Sequence, residues 1–287
     1  MKIMKISELL KKAQTNHYGI GSFSPRNTFL IEYVLKGAEA KNSPVIVQIS
    51  ANEFGWFKVN AEEFGKKFYE LKDKYSIPVG LHLDHTKNIA VIKEAIAAGF
   101  TSVMIDASEK EFNENIRITK EVVEYAHSKG VAVEAELGKI GATDKLETDN
   151  DEELYTVPEE AREFVERTKV DALAISIGTA HGVYSVKDPK IDFERLRNIR
   201  LLTDIPLVLH GGSGLPPHTV RKAIELPEGG VSKINIATDL EQVFLKSIGS
   251  DRRLLNEEIW KLDRALLEKA GFEVQQTVEE KIELYLG

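Results

Sequence analysis

Short apolar runs alternate with longer stretches of helical period along the whole chain. The runs are GIGSFS (19–24), PVIVQIS (44–50), PVGLHLDH (78–85), SVMIDAS (102–108), VAVEAELG (131–138), ALAISIG (172–178), PLVLHGG (206–212) and SKINIAT (232–238). Each is rich in Val, Ile or Leu and several follow a Pro or a turn, the signature of strands buried in a parallel sheet. The intervening segments read as helices. KNIAVIKEAIAAGF puts Ile89, Ile92, Ala95 and Ile96 on one face and stops at Gly99. FNENIRITKEVVEYAHSKG stops the same way at Gly130, and VPEEAREFVERTKVD opens on Pro158 with acidic residues in its first turn, which suits the helix dipole. Eight strand–helix units without a domain-sized break predict an α/β fold, a (β/α)8 TIM barrel over about 17–240. The polar and helical stretch from about 241 to 287 reads as a C-terminal helical extension of the same domain. A doubly wound open sheet is the alternative, but it calls for a Gly-rich turn after the first strand, and GSFSPRN is not one.

Composition narrows the class. A chain of 287 residues suits one large barrel, and 42% apolar with 29% charged residues is ordinary for a globular protein with a large core. The net charge of −8 and the lack of a basic stripe argue against a nucleic-acid partner. Without Cys there is no disulfide scaffold, no thiolate nucleophile and no Cys-ligated metal, which is compatible with a cytoplasmic location. The opening MKIMKISELLKKAQTN reads as an amphipathic helix and lacks the apolar core and cleavage site of a signal peptide. No apolar run approaches the ~20 residues that cross a bilayer.

The candidate chemistry lies at the C-terminal ends of the strands, where barrels of this type place their active sites. These ends carry Ser24, Ser50, Asp84 with His85, Asp106 with Ser108, Glu136, His181, His210 with Gly211, Gly212 and Ser213, and Asn235 with Thr238. Three histidines from strands three, six and seven match a zinc site with an open fourth position; the competing reading is core histidines satisfied by hydrogen bonds. Imidazoles also accept Co2+ or Fe2+. His82, in mid-strand, reads as structural or as a support to the metal. HGGSGLP (210–216) offers backbone N–H groups to an anion, and with Asn235 and Thr238 nearby it predicts a phosphate site. Thr238-Asp239 also reads as an N-cap of the following helix.

Taken together, LHLDH, ELG, IGTAHGVY, PLVLHGGSG and KINIATDL, in this order and spacing, resemble the class II zinc-dependent ketose-bisphosphate aldolases, over about residues 4–260. The resemblance implies reversible cleavage of fructose 1,6-bisphosphate to dihydroxyacetone phosphate and glyceraldehyde 3-phosphate. Tagatose 1,6-bisphosphate, or another aldehyde partner for dihydroxyacetone phosphate, is the alternative. It implies His85, His181 and His210 as zinc ligands, Glu136 beside the metal, and Asp84 as the acid–base residue on the hydroxyl that becomes the aldehyde. It also implies Ser50, Gly182, Gly211, Ser213, Asn235 and Thr238 as substrate or phosphate contacts. A monovalent cation (Na+ or K+) near the phosphate and a homodimer or homotetramer are implied as well.

The chain departs from the family pattern in places. Ser24 follows Phe23 where relatives often have Asn, and ANEFGW replaces an NGG-type sequence after strand two. The long loop KIGATDKLETDNDEELYT (139–156) reads Ala142-Thr143-Asp144 where relatives often carry a Glu–Asp pair, leaving Asp144, Glu147 and Glu152 as candidates for the acid that moves the carbon-bound proton. Asp144 is the first choice. Arg253, with Arg252 beside it, is the expected cation for the distal phosphate; a solvated helix start is the competing reading. A Schiff-base aldolase would need a Lys at a catalytic strand end, but the sixth strand ends IGTAHG without one and Lys233 lies at the start of strand eight. A zinc hydrolase on this fold would often begin with His-x-His at strand one, which is absent. A barrel that binds sugar phosphates without turnover is a further alternative.

Overall fold

A computed structural model describes residues 5–142, 154–184 and 186–285. Eight parallel strands close into a barrel in chain order. They are β1 (Ile20–Phe23), β2 (Val45–Ser50), β3 (Val79–Asp84), β4 (Ser102–Ile105), β5 (Ala132–Leu137), β6 (Ala172–Ile175), β7 (Leu207–Leu209) and β8 (Val231–Ile236). β8 returns to β1 in register, Ser22 opposite Asn235. This is the expected (β/α)8 barrel.

The alternation within each strand decides what the barrel holds. In β3, Val79, Leu81 and Leu83 join the large hydrophobic cluster between strands and helices. Gly80, His82 and Asp84 point the other way, into the interior. Helix α1 (Ile6–Thr15) closes the N-terminal mouth, its Ile6, Leu9, Leu10 and Ala13 packing with Ile20, Ile46, Met104 and Val208 in a separate cluster. Above that plug the interior turns polar. Ser22 meets Gln48, His82 meets Ser102, and Lys233 meets Glu134, all buried. Such barrels usually fill these layers with branched aliphatics. Here the buried polar groups pair with one another, as burial requires, and form the floor of the site.

The outer helices include α2 (Ile31–Ala40), α3 (Ala51–Phe57), α4 (Ala61–Lys72), α5 (Ile89–Ala97), α6 (Phe112–Ser128), α7 (Pro158–Thr168), α8 (Phe193–Leu202), α9 (Pro217–Ile224) and α10 (Thr238–Ile248). After the short α11 (Asn256–Ile259), the C-terminal α12 (Arg264–Tyr285) lies along the barrel wall against α2 and α10. The approach is close enough to need glycine on both helices. A Cβ on Gly37 would stand 2.9 Å from the Gln275 carbonyl oxygen, and one on Gly271 would stand 2.3 Å from the Tyr33 ring.

One expected cap is placed differently. Thr238 is the first helical residue of α10, and the N-cap is Ala237, which has no side-chain oxygen. The cap comes from another loop instead: Ser213 Oγ accepts from the N–H groups of Ala237 at 3.1 Å and Asp239 at 3.3 Å.

Candidate metal centre and active site

β3, β6 and β7 end on the same side of the barrel, and the loops beyond them carry three imidazoles to one point. His85 and His181 are half-buried and His210 is fully buried. One ring nitrogen from each lies within 4.8 Å of the others, and His85 Nε2 stands 3.2 Å from His181 Nε2. Two nitrogens bound at about 2.05 Å to a tetrahedral zinc stand about 3.3 Å apart, so the His85–His181 edge already has the spacing of a zinc tetrahedron. His210 Nδ1 is buried with no hydrogen-bond partner, and so is Glu136 Oε2 beside it, 3.6 Å away. Unpaired buried polar atoms are costly, and a divalent cation among the imidazoles would satisfy both. The residues present therefore fit a metal.

The electrostatics point the same way. Burial, which lowers an imidazole pKa, is outweighed at His85 by the carboxylates of Asp84, Asp106 and Glu136, and its pKa is held at about 10. Burial pulls His181 down to about 4 and His210 well below its usual value. Burial pushes Glu136 up. The acidic groups of Asp84, Asp106 and Glu136, the last pushed up to about 8, make a place for positive charge, which His85 itself supplies in the free protein. Its Nδ1 is fixed by Asp106 Oδ2 at 3.2 Å, and Asp106 Oδ1 in turn accepts from Ser108 Oγ at 2.7 Å. The backbone at His85 is unusual for a residue with a side chain, φ 21°, the kind of strain that gathers at functional sites.

Asp84, the last residue of β3, is nearly buried beside this cluster. Its Oδ1 accepts from Asn235 Nδ2 at 3.0 Å and its Oδ2 from Gln48 Nε2 at 3.2 Å. Two oxygens that both accept are the pattern of a carboxylate. β2 and β8 thus hold Asp84 from either side. His82, two residues earlier, is buried and bonded to Ser102 Oγ through Nδ1, in keeping with a supporting role.

The loops after β6 and β7 meet backbone to backbone. Gly211 has φ 69°, and a Cβ there would stand 2.2 Å from the Ala180 carbonyl oxygen, so only glycine fits. Tyr184 clamps the two loops, donating to the Gly211 carbonyl and accepting from Ala180 N, both at 2.9 Å. A cavity of about 300 Å³ opens beside them, with Gly182, Tyr184, Lys187, Gly214, Thr238 and Gln242 in its lining. Gly182 and Thr238, two of the expected phosphate contacts, thus share one cavity. Ser213 and Asn235 lie close by, already bonded to the α10 N-terminus and to Asp84.

Two expected substrate residues have structural partners. Ser50 Oγ caps α3 by accepting from Glu53 N at 3.3 Å, and Glu53 Oε2 accepts from Ser50 N and from Ser24 Oγ, both at 2.8 Å. Arg253 donates to Glu241 Oε1 at 2.6 Å and lies 4.7 Å over the Trp56 ring. Glu241 also pairs with Arg26, which pairs with Glu53 at 2.8 Å. Arg252 is engaged by Glu258 instead. Past β5, Gly141–Ala142 forms a two-residue parallel ladder with Ala180–His181, Ala142 opposite His181. Asp144, Glu147 and Glu152 lie outside the described residues.

The family model described as fructose-bisphosphate aldolase class-II matches residues 4–286. The chain belongs to this family. Among solved structures, the YdjI aldolase of Escherichia coli K12 is similar at 34% identity and a TM-score of 0.82, with 98% of this chain and 96% of that one covered. A candidate fructose-1,6-biphosphate aldolase from Coccidioides immitis is similar at 28% identity and a TM-score of 0.83, over 98% and 96%. The fructose-bisphosphate aldolase (Fba) of Campylobacter jejuni is similar at 26% identity and a TM-score of 0.79, over 98% and 93%. Among the described residues, no helix of this class-II aldolase family member is long and apolar enough to cross a membrane.

Gln48, Glu134, Lys233 and Tyr184 take part in or support the site without having been singled out for it in the sequence. For three of them the signal is alternation. Gln48, Glu134 and Lys233 each sit two residues before a strand-end polar residue (Ser50, Glu136, Asn235) and so share its inward face. A polar residue facing inward from a buried strand needs a partner, and each has one. Tyr184 carries no such mark.

Proposed function

We propose that this chain is a metal-dependent aldolase that reversibly cleaves a ketose 1,6-bisphosphate, with fructose 1,6-bisphosphate as substrate. The observation that carries this reading is the placement of Asp84, held as a carboxylate by Gln48 and Asn235, next to the convergent imidazoles of His85, His181 and His210. A divalent cation held by these three residues, zinc being the best match to imidazole donors, supplies Lewis acidity to the ketone half of the sugar when bound.

Asp84 takes the proton of the C4 hydroxyl. The C3–C4 bond breaks as C4 becomes the aldehyde carbon, and the electron pair passes to the three-carbon half as an enediolate. In condensation Asp84 returns the proton to the aldehyde oxygen. Positioned acid–base groups of this kind contribute about 10²–10⁴-fold. An acid from the loop after β5, Asp144 by our reading, then protonates C3 to give dihydroxyacetone phosphate. Gly182, Gly211, Ser213, Asn235 and Thr238 hold the phosphate half, with a monovalent cation bound at the same loops. Anchoring there fixes the reacting carbons from a distance. Ser50 contacts the substrate, and Arg253 leaves Glu241 to meet the distal phosphate of the aldehyde half. The working form is a homo-oligomer.

The test is to supply fructose 1,6-bisphosphate and tagatose 1,6-bisphosphate separately and to follow triose phosphate. Faster release from the fructose sugar supports the reading. Release from tagatose bisphosphate alone moves the assignment to its C4 epimer, and no release from either refutes a bisphosphate substrate.

A further inference from the structure

We propose that Glu134 and Lys233, a buried ion pair inside the barrel, position His210 by fixing which of its nitrogens carries the proton. His210 Nε2 stands 2.9 Å from Glu134 Oε1, and Lys233 Nζ donates to Glu134 Oε2 at 2.8 Å. All three side chains are shut off from solvent. A carboxylate oxygen can only accept, so the neutral imidazole of His210 must carry its hydrogen on Nε2. That leaves the Nδ1 lone pair free, and Nδ1 is the buried nitrogen without a partner. The orientation of a metal-binding His is commonly set by such a bond from its other nitrogen.

Lys233 explains how the acceptor can be there. A lone carboxylate in the barrel interior would be strongly unfavourable, and Lys233 supplies its counter-charge from the facing strand. Two well-packed apolar side chains would fill the same space without desolvating charge. What the pair adds is an acceptor aimed at one atom of His210. His82 Nε2, 3.6 Å from Glu134 Oε2, is too far to compete for it.

The inference rests on reading His85, His181 and His210 as a metal centre, and the experiment separates the two. Two double variants are compared, E134Q/K233M and E134L/K233M. Both remove the charge pair; only the first keeps an oxygen that accepts from Nε2–H. Co2+ affinity is measured by chelator competition, and the melting temperature is measured on the metal-free proteins. E134Q/K233M is expected within about threefold of the parent affinity and E134L/K233M about 10–100-fold weaker, with similar melting temperatures. Equal affinity in the two variants overturns the positioning role. Failure of the parent chain to take up Co2+ overturns the metal reading and this inference with it. A measurement on the unsubstituted protein stands beside these: long-range proton–nitrogen correlation of the metal-free chain, with His210 assigned through His210→Asn. It is expected to show the hydrogen on Nε2, and the Nδ1–H tautomer overturns the proposal.

Discussion

His85 Nε2 and His181 Nε2, 96 positions apart in the chain, stand 3.2 Å from each other at the mouth of the barrel. Held that close, two imidazoles share either a proton or a cation, and the carboxylates of Asp84, Asp106 and Glu136 around His85 favour positive charge at this point. If the cation is a metal, His85→Ala removes one edge of its site. The variant should bind zinc at least 100-fold more weakly and lose sugar cleavage. Elemental analysis and a cleavage assay on the same sample check this, and full activity with a full complement of zinc would rule His85 out as a ligand.

Asp84 separates proton transfer from metal binding. Its oxygens are engaged by Gln48 and Asn235 and not by the imidazoles. Asp84→Ala should therefore keep the metal and the fold and lower kcat by about 10²–10⁴. Loss of zinc in parallel with activity would instead make Asp84 part of the metal site.

Protons and metal should compete at one imidazole of the three. In the free protein His85 has a pKa of about 10, whereas burial holds His181 at about 4 and His210 well below its usual value. Of the three imidazoles only His85 has a proton to lose at pH 7–8, and Glu136 beside it, pushed up to about 8 by burial, holds a second. Metal uptake there should release one to two protons, with the apparent Kd falling more than tenfold per pH unit below about pH 8 and about tenfold per unit from there to about pH 10. Titration calorimetry in buffers of different protonation enthalpy reads the number directly, and zero release would contradict it. The sign for stability follows from the same shifts. A raised His85 stabilises the metal-free fold fully below its ordinary pKa of 6.5, and that contribution is lost as pH rises toward 10. The lowered His181 works in the opposite window, weakening the fold as pH falls from 6.5 toward 4.

The seam between α2 and α12 should respond to a single methyl group. At Gly37 a Cβ would press on the Gln275 carbonyl oxygen and on Val278, each 2.9 Å away. Gly37→Ala is expected to cost about 1–3 kcal/mol, lowering Tm by about 2–4 °C per kcal/mol, while metal content stays unchanged. A Tm equal to that of the parent would mean that the two helices are free to move apart.

Much of this arrangement is legible in the sequence because barrel strands are short, regular and punctuated. The alternation of Gly80, His82 and Asp84 with Val79, Leu81 and Leu83 gives both the strand and its inward face, and the strand-end rule of the fold then collects His85, His181 and His210 without coordinates. What the alternation cannot give is partnership across the barrel. Asp84 meets Asn235 over 151 positions and Glu134 meets Lys233 over 99, and only the closure of the sheet brings them together. Caps are illegible for the same reason: Thr238 and Asp239 look like their own N-cap, yet the oxygen comes from Ser213, 24 and 26 positions from the N–H groups it serves. Arg253 and Ser50 read as free polar groups because their partners, Glu241 and Glu53, lie on helices whose faces are fixed only by packing.

The most direct test of a metal centre built from His85, His181 and His210 is cleavage of fructose 1,6-bisphosphate before chelation, after EDTA treatment with metal loss verified by elemental analysis, and again after zinc is restored. Triose phosphate formation should vanish with the metal and return with about one zinc per chain. Undiminished cleavage by protein shown to be free of metal would contradict the assignment of these imidazoles.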